Sequence, residues 1–410
     1  MPLIITILLL LIITRIAGEI AERFNQPAMI GEIFAGILLG PSVLNIVSIN
    51  HELTTIANLG VLLLVFLMGF ETDIDDVLDG FGRKNIWISI VGFVIPLAVG
   101  VVVGEIMELD IMRTIFIGLC MAITALPVTI GILTDIGETH SNVGKRIIST
   151  SLANDVLTLF ALGIILSVKN NEGENNIFNF SILLTLGETL LFIVSVFIGW
   201  RIIRSAIRFL YIPSATVYLI ISKLKGKESL FALVLLYVLI FAALSEAIGF
   251  HFIIGTFFGA LLLNQEVMGK KNFEQVKSTA SGITMGFLAP IFFATIGLTF
   301  NVATLTNWTM LVVILAAAFL AKILAGLLGG KIAGMTLKES WTLGIGLNGR
   351  GVIEIVIANI ALGNGFIGER LFTILVFMGI MTTLITPSLL KLAFNMQLKK
   401  NNTISGLKNS

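Results

Sequence analysis

The stretch IISTSLANDVLTLFALGIILSV, residues 147–168, reads as a helix that crosses a membrane while carrying a carboxylate, Asp155, in its middle. A span needs about 20 predominantly apolar residues, and this one has them. Asp155 nevertheless costs about 2.5–3.5 kcal/mol on insertion scales at that depth. A chain that keeps such a residue usually uses it on an ion or proton path, and here Asn154 stands directly before it.

The composition supports the membrane reading. The chain has 410 residues, 56% hydrophobic and only 12% charged, with a mean hydropathy of +1.02. Soluble domains carry roughly 25% charge, so this is an integral membrane protein in contact with a lipid bilayer. The 40 glycines suit close helix packing in lipid. One cysteine, Cys120, excludes an internal disulfide, and His51, His140 and His251 show no metal-binding spacing. A net charge of +1 argues against nucleic acid as a partner. The glycines around Gly349 lack the strand and the Lys-Ser/Thr of a phosphate-binding loop, and no cofactor is expected. The first apolar run begins at residue 2 with no basic region before it, so it is read as a retained helix rather than a leader.

Windows of this length place spans at 2–21, 28–46, 56–72, 86–106, 112–133, 147–168, 178–200, 229–247, 250–264, 283–299, 308–330, 340–363 and 371–394, about thirteen helices in all. The basic residues test that count. With the N-terminus outside, the outside loops hold only Arg113, Lys169 and Arg370, while Lys322 and Arg350 lie within spans. Every other Lys and Arg falls inside, as expected of cytosolic loops and a cytosolic C-terminus. One missed helix would scramble every loop after it.

Two spans are broken by polar groups. Thr124-Ala125-Leu126-Pro127 interrupts the fifth, and Asn348-Gly349-Arg350-Gly351 the twelfth. Proline removes a backbone donor and glycine weakens a helix. Broken helices at corresponding places in two halves are a pointer to a transporter's binding site. If spans 1–6 and 8–13 are the halves, the fifth member of each is the broken one, and the seventh span inverts the second half. The expected fold is therefore an all-α membrane protein with an inverted repeat of six helices and two crossed broken helices. The plainer reading makes Pro127 a kink and the glycines packing contacts.

Helical rise sets depth. Asp155 lies about 14 Å beyond Arg146, Lys322 about 14 Å from Lys331, and Pro127 about 12 Å from Asp135. A carboxylate, an ammonium and a helix break thus share one layer. Asp155 can hold a dehydrated cation or a proton but hardly both at once, so competition for one site couples the two. Ser151, Asp155 and Thr158 share a helical face, and carbonyls freed around Thr124 add further oxygen ligands. The alternative is a structural Asp155–Lys322 ion pair. Lys322 has two candidate partners, Asp155 and Glu354, or neutralises the half-helix C-termini at the crossing, and Arg350 and Glu354 are spaced to pair along one helix. Arg350 stays charged, which favours a structural clamp over a proton carrier. Glu32, Glu71, Glu188 and Glu246 read first as satisfied packing residues, and Arg201, Arg204 and Arg208 as a stripe facing headgroups.

The stretches QPAMIGEIFAGILLGPSVLN (26–45), LLLVFLMGFETD (62–73), TALPVTIGIL (124–133), Asn154-Asp155, SEAIGFHFIIGTFFGALLL (245–263), APIFFATIGL (289–298), Lys322 and NGRGVIEIVIA (348–358) together resemble the monovalent cation:proton antiporter family. The likeness is to its branch of bacterial sodium/proton antiporters, spore-germination antiporters and glutathione-gated potassium efflux systems. The resemblance implies a homodimer in which a core of spans 4–6 and 11–13 moves like an elevator against a scaffold of spans 1–3 and 8–10. Residues 1–394 would form the transmembrane domain and 395–410 a short cytoplasmic tail, too short for the regulatory domain of the potassium efflux relatives. Asp155 matches the family's ion-binding aspartate, with Asn154, Thr124 and Ser151 expected around the cation. Lys322 matches the basic residue of the eleventh span, with Arg350, Glu354 and Glu71 as further coupling or charge-pairing candidates. Electrogenic members carry Asp-Asp where this chain has Asn154-Asp155, whereas electroneutral members usually carry Arg at the position of Lys322. One obvious carboxylate favours one proton per cation.

The expectation is a secondary antiporter of the cell membrane, not an enzyme, that exchanges Na+ (or Li+) for protons. K+/H+ exchange is the runner-up within that class. A channel would pass ions without coupled protons, and an organic-solute symporter on the same fold would need a roomier, more apolar cavity.

Overall fold

A run of Leu, Ile, Val, Ala and Gly in lipid has few structural choices. Every backbone N–H and C=O must find an internal partner, and a helix supplies one for each within the segment. The computed structural model follows that constraint. It describes residues 2–82, 85–124, 126–170, 227–247, 250–263, 265–306 and 308–408, and all regular structure among them is helical. In chain order the helices are α1 (Leu3–Arg23), α2 (Ala28–Leu39), α3 (His51–Glu71), α4 (Ile74–Gly80), α5 (Ile86–Ile106), α6 (Ile111–Ala122), α7 (Leu126–Asp135) and α8 (Asn142–Asn170). After these come α9 (Lys227–Ala247), α10 (Phe252–Leu261), α11 (Gln265–Met268), α12 (Lys270–Ile283), α13 (Ala289–Thr299), α14 (Trp308–Ile332), α15 (Leu337–Gly346), α16 (Val352–Gly363) and α17 (Glu369–Lys408). Among the described residues, 8 helices are long and apolar enough to cross a membrane.

Each expected span other than the seventh coincides with one of these helices or with a broken pair. The seventh, 178–200, lies outside the described residues, as do Glu188 and the Arg201, Arg204, Arg208 stripe. The fifth span is broken between α6 and α7, and the twelfth between α15 and α16. Two departures have local causes. The tenth span begins earlier than hydropathy placed it, because α12 is polar overall and buries only Phe273, Val276 and Ala280. A π-helical turn, Thr284–Leu288, joins it to α13. The residues beyond 394, expected to form a separate tail, continue α17 as helix to Lys408.

The chain divides into two compact units. One contains Met1–His51, Asp75–Thr158 and Phe293–Ser410, and the other Glu52–Ile74 and Leu159–Phe292. In the second unit Phe66, Phe70 and Phe273 anchor an apolar cluster with Leu230, Val234 and Val276. Phe70 and Phe273 stack with centroids 4.4 Å apart. Also in this unit, Glu71 forms a half-exposed ion pair with Lys277 at 3.3 Å, a contact of the kind that contributes roughly 0–1 kcal/mol.

The first unit holds α5, α6, α8 as far as Thr158, and α14 to α17. Ile88, Ile147, Ile323, Leu343 and Leu390 form part of its apolar core. Its helices approach closely where side chains are absent. A Cβ on Gly326 of α14 would lie 2.2 Å from the Cα of Gly344 in α15, and one on Gly100 of α5 would lie 2.3 Å from the Cα of Gly118 in α6. Backbone contact at this range is how helices associate where lipid removes the hydrophobic driving force. Gly326→Ala forces the α14–α15 pair apart and is expected to cost about 1–3 kcal/mol, read as a lower thermal midpoint in detergent. Gly363→Ala meets nothing within 4 Å. It serves as the matched control, expected to leave that midpoint unchanged or raised.

Candidate functional site

Breaking a helix inside the membrane exposes the carbonyls of its last turn, which have no partner within the helix. The end of α6 presents three such groups to cationic side chains. Lys322, fully buried on α14, donates to the Ala122 carbonyl, to Thr124 Oγ1 at 2.9 Å and to the Gly92 carbonyl of α5 at 3.3 Å. Arg350, in the α15–α16 break, donates through its two terminal nitrogens to the carbonyls of Cys120 and of Met121, the latter at 3.2 Å. Two positive charges therefore sit on the negative end of one half-helix dipole, the favourable sign of that interaction.

The end of α15 is served by hydroxyls. Thr124 Oγ1 donates to the Leu347 carbonyl at 3.2 Å, and Thr129 Oγ1 to the Gly346 carbonyl at 3.4 Å. The two breaks thus touch, and Thr124 links them by accepting from Lys322 while donating to Leu347. Thr383 of α17 holds the second break in place. Its hydroxyl donates to the Arg350 carbonyl at 2.8 Å and accepts from the Arg350 N–H at 3.3 Å.

Arg350 also lies 3.6 Å from Glu354 Oε1, one turn along α16. This is the i, i+4 pair anticipated from spacing. The distance exceeds that of a hydrogen bond, and both Glu354 oxygens are buried without a hydrogen-bond partner. Gly379 of α17 backs against this carboxylate: a Cβ there would meet Oε2 at 3.0 Å.

Asp155 and Asn154 sit on α8, 3% and 0% exposed. Asp155 Oδ1 and both polar atoms of the Asn154 amide have no hydrogen-bond partner. The direct Asp155–Lys322 and Glu354–Lys322 contacts considered from sequence are replaced by the three neutral oxygens that Lys322 engages. Gly92 adjoins both Lys322 and Asn154: its carbonyl holds Lys322, and a Cβ on it would meet Asn154 Nδ2 at 3.2 Å.

The expected ligands differ in how free they are. Ser151 donates its proton to the Ile147 carbonyl at 2.8 Å, which leaves its oxygen with lone pairs as an acceptor. Thr124 already accepts an ammonium proton and donates to a carbonyl. Asp155, Asn154, Thr124, Ser151, Lys322, Arg350 and Glu354 all belong to the first unit, whereas Glu71 belongs to the second, with Lys277 as its partner. Sequence reasoning did not single out Gly92, Thr129, Thr150 or Thr383. Thr150, one turn before Asn154, could have been found by helical period; Gly92 and Thr383 act through contacts distant in the chain and carry no local signal. One carboxylate among neutral oxygens suits a hard monovalent cation or a proton, and among the described residues no three His, Cys, Asp or Glu side chains gather for a metal centre.

Comparison with known proteins identifies the family of the chain. The family model described as sodium/hydrogen exchanger, transmembrane, matches residues 5–395. The Na(+)/H(+)-K(+) antiporter GerN of Bacillus cereus is 27% identical over 95% of each chain, and the Na(+)/H(+) antiporter of Enterococcus hirae 25% identical over 93% of this chain and 96% of its own. Cation/H(+) antiporter 18 of Arabidopsis thaliana is 30% identical over 93% of this chain but only 48% of its own length. The sodium proton antiporter MjNhaP1 of Methanocaldococcus jannaschii shares the fold, with a TM-score of 0.72, 19% identity, and coverage of 96% of this chain and 97% of that one. This multi-pass membrane chain therefore belongs to the transmembrane sodium/hydrogen exchanger family.

Proposed function

We propose that the chain is a secondary antiporter that exchanges a monovalent cation, Na+ or Li+ first, for protons at Asp155. The observation that carries this reading is a buried carboxylate with an unpartnered oxygen, beside an ammonium whose bonds go to neutral oxygens. A proton or a dehydrated cation can complete Asp155, and occupancy by one excludes the other. Ser151 and Asn154 supply neutral oxygens, and Lys322 holds the α6 end and Thr124 in register. Alternating access follows from movement of the core, spans 4–6 and 11–13, as an elevator against spans 1–3 and 8–10 of a homodimer, with spans 1–6 and 8–13 as inverted repeats. In the cell membrane, with the N-terminus outside, protons reach Asp155 from outside and leave inside as the cation replaces them. With Glu354 held by Arg350, Asp155 is the exchanging carboxylate, which favours one proton per cation.

Potassium is the second reading, favoured by the name of the GerN relative, a Na(+)/H(+)-K(+) antiporter. The choice between Na+ and K+ rests on the spacing of the oxygens around Asp155.

In vesicles containing the purified protein and a pH-sensitive dye, addition of Na+ or Li+ is expected to move protons, with K+ as the comparison. Asp155→Asn is expected to abolish that movement without loss of folded protein, and clamping the voltage is expected to leave the wild-type rate unchanged. Full exchange by the Asn variant would overturn the assignment. Arg350→Gln leaves Glu354 as a buried charge without its partner and frees two carbonyls, which is expected to cost about 3–5 kcal/mol. The check is the thermal midpoint in detergent, where a drop smaller than that of an exposed-residue control would contradict the clamp role.

A further inference from the structure

The break between α15 and α16 carries a buried acceptor with no donor. Asn348 is fully buried there. Its Nδ2 donates to the Gly344 carbonyl at 3.0 Å, and its Oδ1 has no hydrogen-bond partner. The Gly344 bond fixes the amide, since turning it over would set Oδ1 against another carbonyl oxygen. Buried polar groups are nearly always bonded, so this oxygen calls for an explanation.

The donors around the break are already committed. Thr124 and Thr129 give their protons to the carbonyls of Leu347 and Gly346, the two residues before Asn348. Lys322 has an acceptor for each of its three protons. Arg350 Nε, two residues further on, is itself without a partner, so it and Asn348 Oδ1 do not satisfy each other.

Position and chemistry both relate Asn348 to the site at Asp155. Gly346 rests on α8, where an added Cβ would meet Ile147 Cδ1 at 2.5 Å, and Ile147 is the residue whose carbonyl takes the Ser151 proton. On the other side, Thr124 bonds the Leu347 carbonyl, which is joined directly to the Asn348 nitrogen. Asn348 therefore leaves the backbone next to contacts made by two of the proposed ligands. It also shares the arrangement of Ser151. In each, the donor is spent on the carbonyl one turn back in its own helix, and the oxygen is left to accept. A cation needs acceptors alone, and an amide oxygen is of the carbonyl kind that replaces the hydration of a monovalent ion.

We infer that Asn348 Oδ1 is a cation ligand supplied by the second break, so that the cation exchanged at Asp155 is held by α8 and by both crossing segments together. The inference rests on the antiporter reading above and adds a ligand to it.

The test uses the full chain. Asn348→Ala removes the amide, and Asn348→Thr keeps an oxygen whose proton can go to the Gly344 carbonyl. In vesicles, the alanine variant is expected to raise the apparent KM for Na+ at least tenfold, by more than it lowers the maximal rate. Threonine is expected to bring that KM back to within threefold of wild type. In detergent, Na+ raises the thermal midpoint of a protein that binds it. Alanine is expected to lose most of that rise, while the midpoint without Na+ reads folding separately. An unchanged KM in the alanine variant overturns the inference. So does a loss confined to the maximal rate, or a threonine variant that recovers the Na+-free midpoint but not the KM, either of which makes Asn348 a positioning residue. The antiporter reading fails separately, if wild-type protein moves no protons with any cation.

Discussion

The constraint on which the site depends is that a helix ended within the membrane leaves carbonyl oxygens with nothing to bind. Water cannot reach them in hydrocarbon, and each unsatisfied group costs several kcal/mol. The structure meets this requirement at the end of α6 with two cations, Lys322 and Arg350, and at the end of α15 with two hydroxyls, Thr124 and Thr129. The charged residues that cost most to bury are therefore those that make the breaks tolerable.

That arrangement divides the ionisable groups by role. Lys322 and Arg350 spend their protons on backbone, which fixes the position of each. Glu354 answers the Arg350 charge without a hydrogen bond. Of the two carboxylates among these four, Glu354 has a cationic side chain within ion-pair distance and Asp155 has none. A carboxylate locked in an ion pair has its oxygens committed; Asp155 keeps Oδ1 without a hydrogen-bond partner, while Lys322 is satisfied by neutral oxygens.

Much of this was legible in the sequence because lipid simplifies the problem. Apolar length and the distribution of Lys and Arg located the helices, and the polar tetrads at 124–127 and 348–351 located both breaks. Depth counting from Arg146 and Lys331 placed Asp155 and Lys322 in one layer. What sequence could not supply was direction. The stem of Lys322 reaches Asp155, Glu354 or a helix end with equal ease, and only the fold makes the oxygens of Ala122, Thr124 and Gly92 the ones within reach. The polar start of the tenth span, α12, was missed because hydropathy averages over a window, whereas Phe273, Val276 and Ala280 bury one narrow face.

The hydroxyl of Thr124 has a consequence of its own. It accepts from Lys322 and donates to Leu347, so its single proton points one way for as long as the ammonium is present. Hydrogen bonds joined in this manner polarise one another, and the branched side chain of threonine restricts the rotation that would break the alignment. The residue behaves as a one-bit relay: the charge state of a side chain on α14 is written into the orientation of a hydroxyl and read by the backbone of α15. Thr124 and Leu347, 223 positions apart in the chain, are joined by that one proton, and a swap to serine would keep the wire but loosen the contact.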